Sequence, residues 1–496
     1  MLPFFLKILE NTISNPLPKQ ILMKKYPIFT LLFILSVGQL AAQTPKWTAL
    51  FDGKTLKGWK QLNGQAKYEV KDGIIVGTAV MNTPNSFLTT EKDYGDFIFE
   101  CEVNVDEGLN SGIQFRSLSK PDYNNNRVHG YQMEVDASDR NYSGGIYDEA
   151  RRGWLYVPEL NTPAMSAFKR FNQWNKYRIE AVGTILRTFI NDVEVAHVID
   201  NVTAAGFLCL QVHSIGNKEG EGKQVRWKNI RIQTVNLQPS PASNVRIENW
   251  IPNTVADAEK TQGFKLLWDG QTTNGWRGAY KAEFPKAGWN IKEGVLSVDK
   301  GDGAESVNGG DIVTTEQFGA FELTFDFKLT EGANSGVKYF VRELLQPTME
   351  YTPGQAMCLP ADYVKRGSAI GLEFQVLDDV KHPDAKMGAG GNRTIGSLYD
   401  LIPADKMGAR RGAIKKIGDW NQGRVVVYPN NHVEHYLNGF KVVEYDRNSN
   451  FFKSLVERSK FAVWGDKFGS APKGPILLQD HGDVVSYRSI KIRPLQ

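Results

Sequence analysis

Cysteine is scarce in this 496-residue chain, with Cys101, Cys209 and Cys358 as its three. An odd number without metal-type spacing excludes a disulfide scaffold and a Cys/His zinc site. Cys101 and Cys209 fall in strand-like runs, where a thiol reads as a buried apolar filler. Helical periodicity of useful length is also missing, which excludes bundles and coiled coils. No dense Lys/Arg block occurs, and 59 Lys and Arg against 55 Asp and Glu leave a formal charge of only +4, so electrostatics lends no support to nucleic-acid binding. There is no Gly-rich phosphate loop, no His-Glu-x-x-His and no Gly-x-Ser-x-Gly elbow. What is plentiful is glycine and aromatics, 47 Gly, 11 Trp, 18 Tyr and 26 Phe, the composition of a turn-rich β-protein with ring faces available for stacking. The length leaves room for two or more domains.

Residues 1–42 read as a leader. Lys24 and Lys25 precede the apolar run 28–37, and Leu40, Ala41 and Ala42 supply cleavage positions before Gln43. Met23 stands directly before the lysines, marking a second candidate start of translation. The alternative is an uncleaved anchor, but the run falls short of the ~20 residues that cross a bilayer. The expectation is an exported protein, periplasmic or extracellular, with no stable membrane insertion after cleavage.

Beyond the leader the chain repeats itself. Phe51-Asp52-Gly53 with Gly58-Trp59 returns as Trp268-Asp269-Gly270 with Gly275-Trp276, and Asn110-Ser111-Gly112-Ile113 as Asn334-Ser335-Gly336-Val337. Gly144-Gly145-Ile146-Tyr147-Asp148 corresponds to 395–400, Trp174-Asn175 to Trp420-Asn421, and the turn Ile190-Asn191-Asp192 to Leu437-Asn438-Gly439. A period of roughly 220 residues means duplicated domains, because solenoid repeats run ~20 to 50. Domain one is placed at 45–236 and domain two at 263–496, joined by 237–262, whose start at Gln238-Pro239-Ser240-Pro241 is loop-like. Short alternating runs between Gly, Asn and Asp turns predict an all-β chain of two tandem jelly-roll sandwiches. Phe97, Phe99, Cys101, Val103 and Val105 form one predicted core face, matched by Phe321, Leu323, Phe325, Phe327 and Leu329.

Period two also selects the candidate site. In 130–135, Tyr131, Met133 and Val135 alternate with Gln132 and Glu134; in 371–376, Leu372, Phe374 and Val376 alternate with Glu373 and Gln375. In 207–213 the polar face carries Gln211 and His213, and Gln479 and His481 hold the matching places. A half-exposed sheet always has a polar face, but histidine, with seven in the chain, recurs at the same place in both copies. Arg116 alternates with Ile113 and Phe115 and is expected in the same groove, although Phe340 replaces it in copy two. Arg151, Arg152 and Trp154 suit sugar hydroxyls and ring faces, the alternative being a surface pair of Arg151 with Glu149. Asp136, Asp139 and Asp148 form a candidate oxygen site for a divalent cation.

These motifs in order, with Gly145-Ile146-Tyr147-Asp148-Glu149, Arg151-Arg152-Gly153-Trp154 and Leu478-Gln479-Asp480-His481-Gly482, resemble the 3-keto-disaccharide hydrolase domain family, whose fold is concanavalin-like. The resemblance spans both domains. It implies cleavage of glycosides oxidised to a ketone at the third carbon, in which a base removes the acidified C2 proton, the enolate expels the C1 substituent and water adds back. On that basis Glu134 or His213 is the expected base with the other as acid, Gln132 and Gln211 orient, Arg116 with a possible cation stabilises the enolate, and Tyr147, Arg151, Arg152 and Trp154 contact sugar. Glu373, Gln375, Gln479, His481 and Tyr399 are the copy-two equivalents, in a copy that lacks the Arg-Arg-Gly-Trp run. A retaining glycosidase needs two carboxylates ~5 to 5.5 Å apart, which one Glu beside a Gln does not supply. The second reading is a non-catalytic, lectin-like carbohydrate-binding protein. N-terminal sequencing of protein recovered from outside the cytoplasm is expected to start near Gln43; a start at or before Met23 overturns the leader reading.

Overall fold

The computed structural model describes residues 46–301, 306, 308–344, 369–407 and 414–496. The leader, 1–42, and Cys358 lie outside them. Among the described residues no helix is long and apolar enough to cross a membrane, and strands build two sandwiches whose pairs are antiparallel but for one edge strand. The first pairs a nine-stranded sheet with a seven-stranded one, the second an eight-stranded with a five-stranded one.

Alternation explains the cores. Phe97, Phe99, Cys101, Val103 and Val105, on strand Phe97–Val105, are each at most 3 % exposed, as are Phe321, Leu323, Phe325, Phe327 and Leu329 on Phe321–Leu329. Each set contributes on the order of 10 kcal/mol of apolar burial before entropy is counted. Opposite the first set lies the seven-stranded sheet, where β1 (Asn110–Leu118) pairs with β2 (His129–Asp136), β2 with β3 (Ile146–Glu149), and β4 (Phe207–Val212) with the other edge of β1. In the second sandwich β5 (Asn334–Arg342) pairs with β6 (Ile370–Leu377). Cys101 and Cys209 are buried and free.

A bulge interrupts β1 between Phe115 and Leu118, with Arg116 at φ 44°; Phe340, its counterpart in β5, stands at φ 54°. The bulge turns residue 116 off the alternating face. Arg116 donates instead to the carbonyls of Gly95 and Gly183, both at 2.8 Å, and to Asp96 at 2.9 Å, tying together the loops beside the core. In the second sandwich this tie comes from a turn: Arg447, just after strand Phe440–Asp446, lies 3.8 Å over the Phe340 ring and donates to the carbonyls of Gly469 and Ala471.

The segment 237–262 is structured. Its strand Ile247–Asn249 runs parallel to Val193–Ile199 at the edge of the nine-stranded sheet, and a short helix, Asp257–Thr261, follows. Arg246 crosses to the second sandwich and pairs with Glu322, which also receives Arg424 at 3.1 Å and Arg493 at 2.6 Å. Glu322 is 2 % exposed. Burial alone would raise its pKa, but the three guanidiniums win and hold it far below the usual range. Glu322→Ala strands three partly buried cations and is expected to destabilise the chain by about 3 to 5 kcal/mol in urea unfolding. Because the folded pKa is depressed, this contribution is complete above the ordinary glutamate range and drains as the pH falls below it; the wild-type and Glu322→Ala midpoints should therefore converge toward acid pH.

Candidate active site

Strand β2 positions the site. Tyr131, Met133 and Val135 are fully buried against the core, which locks the register and leaves Gln132 and Glu134 on the outer face. Glu134 stands opposite Gly112 of β1, and Gln132 lies between Gln114 of β1 and Tyr147 of β3. Gly112 is required: a Cβ there would sit 2.3 Å from the Gln132 side chain. Across that gap Gln132 Nε2 donates to Glu134 Oε2 at 2.9 Å, while Gln114 Nε2 donates to Gln132 Oε1 at 3.1 Å. Asn110 Nδ2 supplies the other carboxyl oxygen at 2.7 Å. Arg140 Nη2 comes within 3.7 Å of Glu134 Oε1. Burial pushes Glu134 up to about 7, against the hydrogen bonds from Asn110 and Gln132. A carboxyl balanced there can take or give a proton at neutral pH.

Glu134 opens into a cavity of about 520 Å³. Gln132, Tyr147, Trp154 and His213 line it as the alternation and motifs predict, joined by Asn85, Asn110, Arg127, Arg140 and Glu149. Trp154 meets Tyr147 edge to face at 5.2 Å, so one wall is aromatic. His213 Nδ1 donates to the Ser214 carbonyl at 2.7 Å, and the Ser214 amide donates to Asn85 at 2.9 Å. The hydrogen on Nδ1 leaves Nε2 as the atom that exchanges protons. Glu149 is held by Arg127 at 2.7 Å. It stands opposite Gly130, four positions along β2 from Glu134, which puts the two backbone positions about 13 Å apart along the strand.

Several expected ligands are elsewhere. Arg116 is drawn away by the bulge. Gln211 is on the outer face opposite Gly112, but it is fully buried and does not line the cavity. Arg151 and Arg152 clamp the buried Asp148 at 2.7 and 2.5 Å; Arg151 also bonds Thr203 at 2.7 Å, and Arg152 bonds Asp200. They hold the turn that leads into strand Gly153–Tyr156, which carries Trp154, and Arg151 does not pair with Glu149. The acidic cluster does not form: Asp148 is neutralised by those arginines, Asp136 by Arg140 at 2.7 Å, and Asp139 is an exposed partner of Arg170 at 2.8 Å. Of the residues not foreseen, Glu149 was within reach of the alternation rule: in Ile146–Glu149 it shares a face with Tyr147, and Asp148 does not. Asn110 sits inside the most closely repeated motif. Arg127 and Arg140 lie in loops, where no periodicity points to them.

The second sandwich repeats the arrangement with a shift of one row. Gln375 stands opposite Gly336, the Glu134 position, and Glu373 stands opposite Lys338. In the amide orientation that satisfies its neighbours, Gln375 donates to Glu373 at 3.0 Å and to the Ser335 carbonyl at 3.1 Å. Gln479, Tyr399 and His481 line the same cavity, whose volume is about 30 Å³ against about 520 Å³ in the first sandwich. Tyr399 donates to Asp384 at 2.7 Å. Beside it, among the described residues, His382, His481 and Asp483 bring ligand atoms within 4.8 Å of one another, a metal-like group. However, His382 Nδ1 accepts the Asp384 amide at 3.2 Å, which leaves the hydrogen on Nε2. As placed, that ring presents a donor and not the lone pair that a cation needs.

The sequence profile of the 3-keto-alpha-glucoside-1,2-lyase-like domain matches residues 46–233 and again 263–493. A protein of Bacteroides thetaiotaomicron named 3-keto-disaccharide hydrolase is 35 % identical over 244 residues, covering 47 % of this chain and 79 % of its own. Among solved structures, one assigned as a glycosyl hydrolase from Parabacteroides distasonis shares 25 % identity over 49 % of this chain and all of its own, with a TM-score of 0.38. The carbohydrate binding module CBM66 of Bacillus subtilis shares 18 % over 36 % of this chain and 95 % of its own, with a TM-score of 0.24. With the profile covering both sandwiches, the chain belongs to the 3-keto-alpha-glucoside-1,2-lyase-like domain family and carries the domain twice.

Proposed function

We propose that the first sandwich of this chain, working outside the cytoplasm, cleaves disaccharides or glycosides whose sugar carries a ketone at C3, with Glu134 as the base. The observation that carries this reading is the Glu134 carboxyl, pushed up to about 7 by burial and held by Asn110 and Gln132 at the floor of a sugar-sized cavity. Ionised Glu134 removes the C2 proton, which the adjacent ketone acidifies. The electron pair forms the C2–C3 enolate and then the C1–C2 double bond as the C1–oxygen bond breaks. The departing oxygen takes a proton from the Nε2–H of a protonated His213, which lines the same cavity, and the neutral ring left behind takes one back from the water that adds next. Water then adds across C1–C2, its oxygen to C1 and a proton to C2, so the sum is hydrolysis. Stopping before hydration gives a lyase, continuing gives a hydrolase, and the first two bond changes are common to both. Tyr147 and Trp154 offer ring faces to the sugar, while Arg127 and Arg140 are donors to its oxygens.

The test compares a 3-keto-glucoside with the unoxidised glucoside. Turnover of the keto substrate alone is expected, with the enone intermediate visible by its ultraviolet absorbance when hydration is slow. Binding without turnover sinks the enzyme reading in favour of a lectin-like protein, and turnover of the plain glucoside points to an ordinary glycosidase. Glu134→Gln should lower kcat by about 10² to 10⁴, and His213→Ala should lower it too, while Glu373→Gln should leave it nearly unchanged. As the base works ionised, kcat/KM should rise with pH through about 7. The sign for stability is opposite. A carboxyl with a raised folded pKa increasingly opposes folding as the pH climbs from the ordinary glutamate range to about 7. Glu134→Gln should therefore melt no lower than wild type at pH ~8, and a clear loss of Tm there would show that Glu134 is a structural group.

A further inference from the structure

The two copies differ at one place that bears on the first cavity. After the turn Asn191-Asp192 the chain continues with Val193, 43 % exposed; after the matching turn Asn438-Gly439 it continues with Phe440, 1 % exposed. Phe440 is buried because it faces the first sandwich. Its ring lies 6.2 Å from that of Tyr142, which belongs to the first sandwich in sequence and packs in the apolar core of the second. At the turn itself, a Cβ on Gly439 would lie 3.0 Å from Val157, so the backbone rests directly on the first sandwich.

From Tyr142 the contacts run into the cavity. Tyr142 meets Trp154 edge to face at 5.3 Å and 87°. The Arg140 guanidinium lies over both rings, 4.7 Å from Tyr142 and 5.7 Å from Trp154, and is fastened to Asp136 at 2.7 Å. From there it reaches Glu134 at 3.7 Å. The groups around Glu134 are the neutral donors Asn110 and Gln132, the phenols Tyr147 and Tyr177, the carboxylate Asp136 and the guanidinium Arg140. Arg140 is the cation that favours the ionised form of Glu134. Taking Glu134 as the base of the proposed reaction, we infer that the second sandwich serves the first site: Phe440 is a positioning residue that holds Tyr142, and through it Trp154 and Arg140, in the wall of the first cavity.

This role gives the second copy a function that is independent of its own, smaller cavity. It is tested in the full chain by Phe440→Ala, with Phe440→Leu as the milder variant and Phe451→Ala, 64 % exposed on the same sandwich, as the control. Hydrogen exchange in the segment 137–156 should accelerate in Phe440→Ala, less in Phe440→Leu, and not in Phe451→Ala. With Arg140 released, Glu134 ionises at higher pH, so the acid limb of kcat/KM should move up by about half a unit, a shift kept small because Arg140 is partly exposed and screened. Unchanged exchange in 137–156 in a folded Phe440 variant overturns the inference. Faster exchange with an unmoved acid limb overturns the link from Arg140 to Glu134. Should Phe440→Ala not fold, the exchange pattern of Phe440→Leu decides. If wild type turns over no keto-glycoside, the assignment of Glu134 as base fails separately, and exchange still decides whether Phe440 holds the wall.

Discussion

A carboxyl can be kept almost dry on the outer face of β2 because neutral donors reach both of its oxygens. That depends in turn on Gly112, whose missing side chain makes space for Gln132 to lie along the sheet. The three buried residues Tyr131, Met133 and Val135 fix which way the strand faces, and a slip of one position would send Glu134 into the core. The second sandwich keeps the glycine, at Gly336, and keeps the Gln-to-Glu hydrogen bond, while exchanging the two positions. The exchange moves the carboxyl beside Lys338 and puts an amide where the first sandwich has its base. The same scaffold therefore carries two different charge arrangements.

Guanidiniums do most of the fastening around this site. Arg151 and Arg152 surround Asp148, which is fully buried and would be costly without them. By fixing the turn before strand Gly153–Tyr156 they set where Trp154 stands, so a motif rich in arginine shapes the cavity without entering it. Arg116 and Arg447 do the same work at opposite ends of the chain: each bonds two backbone carbonyls beside a bulge, one from the bulge residue itself and the other stacked on Phe340. Loss of the arginine in the second copy is thus a relocation of a structural tie and carries no information about substrate.

The two sandwiches are bound by both polar and apolar contacts. Strand Ile247–Asn249 extends the first sheet, and Arg246 beside it enters the Glu322 cluster of the second. Tyr142 and Phe440 add an apolar seam that continues into the aromatic wall of the cavity. Burial of Phe440 where the first copy exposes Val193 is what divergence after duplication looks like when one copy comes to face the other.

Period-two alternation, glycine and asparagine turns, and an ordered repeat determined the all-β class, the duplicated architecture and the outer-face residues Gln132, Glu134 and His213. These are local properties: side-chain direction in a strand follows from the backbone, whatever lies far away in the chain. The same rule carried one step further finds Glu149 and rejects Asp148. It fails at Arg116, because a bulge resets the alternation and nothing in the residue types marks it. Whether Arg151 and Arg152 met a sugar or Asp148, whether Gln211 reached the cavity, and how Arg140 came to stand beside Glu134 were decided by tertiary structure alone. Long flexible side chains take their partners from whichever elements the fold brings near, and at Arg140 part of that wall belongs to the other copy.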